Sequence, residues 1–193
     1  MAHSRVNIEG QAFENQDFSQ APLAKGNYED CRFIHCQFAQ SSLVDIHFSE
    51  CQFEDCDWSN ANLQNTAFKT VLFRNCKLLG LHFEDLNPFL LDMEFDNCLL
   101  HLSSFYQCSL KNTLFRNCQL QEVDFTEADL SSAQLEQCNL SGAIFEQSNL
   151  TKADLSTATH FSIDPSLNQI QQARFSLAGL PGLLERYELR IEV

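Results

Sequence analysis

The sequence predicts an all-β protein in which the chain winds into a four-sided column, a quadrilateral β-helix, closed at its C-terminal end by a short helix and strand. Three observations predict this fold: a large apolar residue at every fifth position, a small residue two positions before it, and columns of like residues spaced by 20 positions. Neither a helix, with 3.6 residues per turn, nor a flat strand, with two, generates a period of five.

The large residue of each repeat, called position i below, is Leu, Phe, Tyr or Trp at every fifth residue from Phe13 to Phe83 and again from Phe95 to Leu155. Position i−2 is mostly Ala, Ser, Gly or Cys. Residues two apart on an extended backbone face the same side. Both positions are therefore predicted to point inward and the other three outward, so that the chain turns a corner every five residues.

The number of sides follows from the spacing of like residues. Leu23, Leu43 and Leu63 interrupt the aromatic residues at intervals of 20, which equals four sides of five residues, whereas a three-sided coil would repeat at 15. Cys98 follows Cys76 by 22 residues. The gap between the two series is therefore predicted to be a two-residue insertion that keeps the columns in phase.

The column is predicted to extend over residues 1–163, and the insertion forms a bulge in it near residues 84–94. The bulge is predicted to expose some of Leu86, Phe89 and Leu91. These residues either contact a partner or fold back with Phe89 against the column. Insertions in repeat proteins often lie on a binding face, but exposed apolar residues are common, so both interpretations stay open.

All nine cysteines occupy position i−2. No CxxC pair is present, and burial as small apolar residues explains them better than metal or redox chemistry. Free thiols at this density favour a reducing compartment, which predicts a cytoplasmic protein. The N-terminal sequence MAHSRVNIEGQAF has no apolar core typical of a signal peptide, and no apolar run approaches the roughly 20 residues of a membrane helix.

Residues 164–193 are predicted to form a capping and dimerisation module. Its apolar residues recur at three- and four-residue steps and then alternate with charged residues, which predicts a short helix followed by a half-buried strand. A cap over the last coil and a two-fold dimer interface are compatible uses of this surface. The predicted interface residues are Leu177, Leu180, Leu183, Leu184, Tyr187, Leu189 and Ile191.

The repeats ADLSS, CNLSG, SNLTK and ADLST resemble the pentapeptide-repeat family over about residues 8–159. That resemblance implies a right-handed quadrilateral β-helix, and the handedness rests on the resemblance alone. The segment THFSIDPSLNQIQQARFSLAGLPGLLERYELRIEV is similar to the C-terminal module of Qnr-type quinolone-resistance proteins and of their relatives that protect against other topoisomerase poisons.

This second resemblance implies an acidic homodimer, joined end to end through the C-termini, with the girth of duplex DNA. Such a protein binds a bacterial type II topoisomerase, DNA gyrase or topoisomerase IV, and relieves poisoning by quinolones or similar inhibitors. Several Qnr proteins carry two long loops that matter for protection. This chain has only the two-residue bulge, so members without loops are the better comparison.

One side of the column is predicted to be strongly acidic. It is the side with inward residues Leu23, Leu43, Leu63, Phe83, Phe105, Phe125 and Phe145, called side 4 below. Its carboxylates, the acidic stripe, are Asp45, Glu84, Asp85, Asp124, Glu127 and Glu146, with Lys25 as the only cation. Unpaired carboxylates can imitate a phosphate backbone towards a basic partner, or simply keep the column soluble. The C-terminal resemblance favours imitation.

The formal charge of −14 argues against direct nucleic-acid binding. No HExxH, P-loop or GxGxxG motif is present, and a filled core leaves no cavity for a substrate, so no catalytic, metal or cofactor site is predicted. Two hypotheses follow: a DNA-mimicking protein that protects a topoisomerase, and a non-catalytic scaffold whose bulge and cap hold another protein. Enzymatic modification of a drug is disfavoured by the missing site geometry.

Overall fold

The computed structural model describes residues 5–190, apart from the side chain of Leu90, and has the predicted four-sided column. One 12-stranded parallel sheet connects the coils. The strands are short because the chain turns a corner every five residues. They are β1 (Val6–Glu9), β2 (Ala12–Glu14), β3 (Gly26–Glu29), β4 (Arg32–Ile34), β5 (His47–Ser49), β6 (Gln52–Glu54), β7 (Ala67–Arg74), β8 (Leu91–Asp96), β9 (Leu114–Arg116), β10 (Gln134–Glu136), β11 (Asp154–Leu155) and β12 (Arg174–Phe175).

The coils stack in register. Strands β1, β3 and β5 lie on side 1, β2, β4, β6 and β9 to β12 on side 2, and β7 and β8 cross the corner between these sides. Phe13 pairs with Phe33 at an offset of 20, whereas Phe73 pairs with Phe95, which confirms the predicted shift to 22. Sides 3 and 4 are joined by isolated bridges, such as Leu99 to Gln119 on side 3.

The polar residues of each repeat make the corners possible. Asp57 Oδ1, at position i−1, accepts a hydrogen bond from the backbone N–H of Ser59 at 3.0 Å. Asn62 makes the same contact with Gln64. Position i+2, the last residue of the repeat, often has a left-handed backbone, as at Asn60 with φ 55°. Asn and Asp adopt this conformation more readily than most residues, which explains their frequency at the corners.

Inward side chains form continuous columns. On side 2 the rings of Phe33 and Phe53 stack at 4.8 Å between centroids, and those of Phe53 and Phe73 at 5.2 Å. The nine cysteines are buried and are not bonded to one another. Cys56 Sγ, for example, lies 3.3 Å from the carbonyl oxygen of Phe33 on the preceding coil. Burial raises the pKa of Cys51 to about 12, which makes this thiol unreactive at neutral pH.

The insertion forms two 3₁₀ turns, Phe83–Asp85 and Pro88–Leu90, directly before β8. Phe89 projects into solvent with 90% of its surface exposed, and Leu91 is half-buried. Leu86 is only 4% exposed, so its predicted role as a partner contact is wrong. It lies in the hydrophobic core because the added residues loop outward after it.

The parallel pairing continues past residue 163, the predicted end of the column, as far as β12. The predicted terminal helix is reduced to α1 (Pro181–Leu184) between the 3₁₀ turns Leu177–Gly179 and Glu185–Tyr187. The prediction of a following strand is wrong for residues 188–190, which have no regular structure. Ile191, also assigned to that strand, lies outside the described residues.

The tail folds back onto the last coil instead of extending from it. The backbone N–H of Ile163 donates to the carbonyl oxygen of Gly182 at 2.9 Å. A Cβ at Gly182 would lie 2.2 Å from the carbonyl oxygen of Phe161, so this approach requires glycine. No helix within residues 5–190 has the length and apolar character needed to cross a membrane.

Candidate partner-binding surface

The column brings the predicted acidic stripe onto one side. Asp45 and Glu127 occupy the same left-handed corner position, i+2, four coils apart, which is about 20 Å along the column. Asp85 lies on the same side but in the 3₁₀ turn Phe83–Asp85, without the left-handed corner backbone. Asp124 and Glu146 lie on the same side at positions i−1 and i+1.

Asp45 differs from the rest of the stripe because it has a cationic partner. Its Oδ2 lies 3.2 Å from Lys25 Nζ, and its Oδ1 accepts a hydrogen bond from Asn65 Nδ2 at 2.8 Å. The hydrogen bond from Asn65 and the ion pair with Lys25 lower the pKa of Asp45. The expectation of an unpaired carboxylate at this position is therefore wrong.

The other five stripe carboxylates, Glu84, Asp85, Asp124, Glu127 and Glu146, form no ion pair with Lys or Arg in the part of the chain that the structure describes. Glu84 Oε1 lies 3.0 Å from His82 Nδ1. Glu127 Oε2 accepts from Gln107 Nε2 at 2.7 Å, and Asp124 Oδ1 accepts from the backbone N–H of Thr126 at 2.8 Å. Neutral donors thus position these groups without removing their charge.

The cations of the column lie mainly on other sides. On side 2 four arginines pair with carboxylates of neighbouring coils: Arg32 with Glu54, Arg74 with Asp96, Arg116 with Glu136, and Arg174 with Asp154. A hydrogen bond to Glu136 raises the pKa of Arg116 further. Lys111 pairs with Asp129 on side 1 and Lys77 with Asp57 on side 3. Side 4 is therefore left with uncompensated negative charge.

The bulge borders this acidic side. A groove between the bulge and the next coil is lined by Leu86, Pro88, Leu91 and Tyr106, with Glu84 at its edge. Only Phe89 of the three predicted bulge contacts is fully available to a partner, because Leu91 is half-buried and Leu86 is buried.

The C-terminal module presents a second apolar surface. Among the predicted interface residues, Leu183 is partly buried and packs against the core. Those exposed to solvent are Leu177, Leu180, Leu184, Tyr187 and Leu189. The Arg186 guanidinium donates to Asp164 and lowers the pKa of that carboxyl, which ties the module to the column.

A further acidic group was missed in the sequence. Asp30, Glu50, Asp92 and Glu94 line one groove at the corner between sides 1 and 2. The sequence contained a signal for this group, because Asp30 and Glu50 are 20 residues apart and therefore occupy equivalent positions on consecutive coils. Within residues 5–190 no group of three or more His, Cys, Asp or Glu side chains is arranged to hold a metal ion.

Comparison with known proteins decides the family. The model of the pentapeptide repeat region matches residues 26–88 and 89–162. The chain belongs to the pentapeptide-repeat family. No curated protein matches the sequence.

Solved structures share the fold of this pentapeptide-repeat protein at low identity. A trypsin-treated form of QnrB1, a plasmid-mediated fluoroquinolone-resistance protein, is 20% identical, with 100% of this chain and 94% of that chain covered and a TM-score of 0.53. Another trypsin-treated form of QnrB1 is 19% identical over 97% of this chain and 98% of that chain, with a TM-score of 0.50. HetL from Nostoc sp. strain PCC 7120, a pentapeptide repeat protein involved in heterocyst differentiation regulation, is 18% identical, with 89% and 86% covered and a TM-score of 0.61.

Proposed function

We propose that this protein is a cytoplasmic, non-catalytic DNA mimic that binds a bacterial type II topoisomerase, DNA gyrase or topoisomerase IV, and protects it from quinolones or another poison. The observation that carries the proposal is the set of five side 4 carboxylates without a Lys or Arg partner in the described residues. They lie on one side of the column.

The electrostatics of the column support a partner with a basic groove. A side whose carboxylates lack counter-ions creates a negative potential that steers a basic surface towards it. The four arginines of side 2 offset four of its seven carboxylates, whereas Lys25 offsets one of the six stripe carboxylates of side 4, so the potential is more negative on side 4. A directional potential supports docking through one side, whereas general solubility needs no such asymmetry.

Two columns joined through their C-terminal modules would extend the acidic side over twice the length. Leu177 is 84% exposed and Leu189 58% exposed, which supports a homodimer interface at this end. Sedimentation of the wild type and of Leu177→Glu tests this part: a dimer that dissociates in the variant supports it, and a monomeric wild type contradicts it.

Gyrase supercoiling with a quinolone, with and without this protein, tests the main proposal. Restored supercoiling at equal drug concentration supports protection. Unchanged inhibition, together with no binding of gyrase or topoisomerase IV, contradicts it.

The second candidate is a non-catalytic scaffold for another protein, with the acidic side serving solubility. The 90% exposure of Phe89 favours it, because a large aromatic residue in solvent supports contact with a protein surface. The two candidates differ in the supercoiling assay, where a scaffold leaves the action of the drug unchanged.

A further inference from the structure

One coil of the column differs from all the others in its exposed residues. Among the described side chains of residues 89–108, a single coil, four are large, apolar and exposed: Phe89, Leu99, Leu102 and Tyr106. Elsewhere in the described part of the column up to residue 163, Ile144 is the only other exposed large apolar residue. We call these four residues the apolar belt.

The apolar belt covers three sides of the column. Phe89 projects from side 1, where the insertion precedes β8. Leu99 lies on side 3, bridged to Lys77 and Gln119, and Leu102 lies at the corner between sides 3 and 4. Tyr106 lies on side 4, where its hydroxyl contacts Glu127. Side 2, with its arginine pairs, is the one side that the belt does not reach.

Leu102 is placed there against its conformational preference. Its backbone is left-handed, with φ 59°, and it is the only apolar residue among the non-glycine residues with positive φ in residues 5–190. The equivalent corner positions hold Gly80 and Glu122 on the neighbouring coils. A leucine in this conformation, with 65% of its surface exposed, does not serve the stability of the fold.

We propose that the apolar belt is the contact surface for a concave protein cleft. The cleft would enclose side 4 and contact sides 1 and 3 at the same time. This proposal rests on the proposed function, since the cleft is assigned to the type II topoisomerase. Its walls would be apolar opposite Phe89 and Leu102, and its floor would be basic opposite Glu84, Asp85 and Glu127.

The geometry and charge disfavour other occupants. A flat bilayer cannot contact opposite sides of a column together, and anionic lipid repels a protein of formal charge −14. A second copy would bring its own acidic side against this one. A basic cleft satisfies both the charge of side 4 and the position of the apolar side chains beside it.

Binding of purified DNA gyrase to three single variants, and to the double variant that combines Phe89→Gln with Leu102→Asn, tests the proposal. Phe89→Gln removes the contact on side 1, and Leu102→Asn removes the contact at the corner of side 3 while introducing a residue that suits left-handed backbone. Leu114→Gln is the matched control, because Leu114 is half-buried at nearly the same level on side 2, where no contact is proposed. Thermal unfolding, followed by the fluorescence of the single tryptophan Trp58, verifies that each variant folds.

We expect each belt variant to weaken binding about tenfold, the double variant about a hundredfold, and the control less than about twofold, as for exposed side chains that become buried at an interface. If gyrase binds and is protected, but either belt variant binds as well as the wild type, the cleft is contradicted while the proposed function stands. If Leu102→Asn markedly lowers the melting temperature, Leu102 supports the fold and the proposal is contradicted. If the wild type neither binds nor protects, the proposed function and this inference fail together.

Discussion

The amide variants of side 4 test the electrostatic mechanism directly. We consider a variant with Glu84→Gln, Asp85→Asn, Asp124→Asn, Glu127→Gln and Glu146→Gln, which changes the formal charge from −14 to −9. Each amide oxygen can still accept the hydrogen bond that the carboxylate accepted, for example from Gln107 to residue 127. The fold should therefore persist while the negative potential of side 4 disappears.

The magnitude follows from the exposure of these groups. An exposed charge pair contributes about 0.5 kcal/mol, which corresponds to a change in affinity of roughly 2.3-fold per carboxylate. Five such contacts give a combined loss of roughly 60-fold at low ionic strength. The Debye length falls to about 8 Å at physiological salt, so the wild type should lose affinity with salt more steeply than the variant.

Gyrase affinity measured across a salt series distinguishes this effect from a general loss of charge. The matched control replaces Glu9, Glu14, Glu29, Asp30 and Glu50 by amides, since these exposed carboxylates lie on sides 1 and 2 and the charge change is the same. We expect the control to bind within a few-fold of the wild type. Equal losses in both variants would show that net charge and not side 4 attracts the partner, and unchanged affinity in the side 4 variant would refute the mechanism.

Three further predictions concern the fold that supports this surface. Phe53→Ala removes the centre of a buried stack and should lower the free energy of unfolding by about 3–5 kcal/mol, measured by chemical denaturation. Gly182→Ala should release the tail, because the added Cβ meets the carbonyl oxygen of Phe161, and faster trypsin cleavage would report it. The Arg186 contact lowers the pKa of Asp164, so its contribution is complete above the usual value of 3.8 and is lost as the pH falls through the lower folded value. Asp164→Asn should loosen the tail at neutral pH in hydrogen exchange as acid does in the wild type, and equal protection in both proteins at pH 7 would contradict this role.

The column could be predicted from the sequence because its inward positions obey a strict local rule. Phe13 stacks on Phe33 at 4.7 Å because both occupy position i at an offset of one coil. The length of the insertion could be predicted from the spacing of Cys76 and Cys98, and its place from the break in the five-residue series between Phe83 and Phe95. Periodicity thus determines backbone path, register and core together.

Features that depend on contacts between coils or on the tail could not be predicted in the same way. The ion pair of Asp45 depends on a side-chain rotamer of Lys25, one coil away. Leu86 is buried because the inserted residues loop outward after it, which spacing alone does not reveal. The prediction of a terminal strand was wrong because the alternating apolar and charged residues after residue 188 have no neighbouring strand to pair with in the described residues.

The separation between inward and outward positions explains why family membership does not by itself assign a function here. Positions i and i−2 fix the column, and the three outward positions of each repeat are free to differ without changing it. HetL and QnrB1 therefore share this fold at 18% and 20% identity. The outward residues of this chain form three groups: arginine pairs on side 2, carboxylates without Lys or Arg partners in the described residues on side 4, and apolar groups at one level beside them. The arginines make side 2 less negative than side 4, and the apolar groups lie beside side 4. Together these features favour binding through side 4, which the side 4 variant and its control on sides 1 and 2 test.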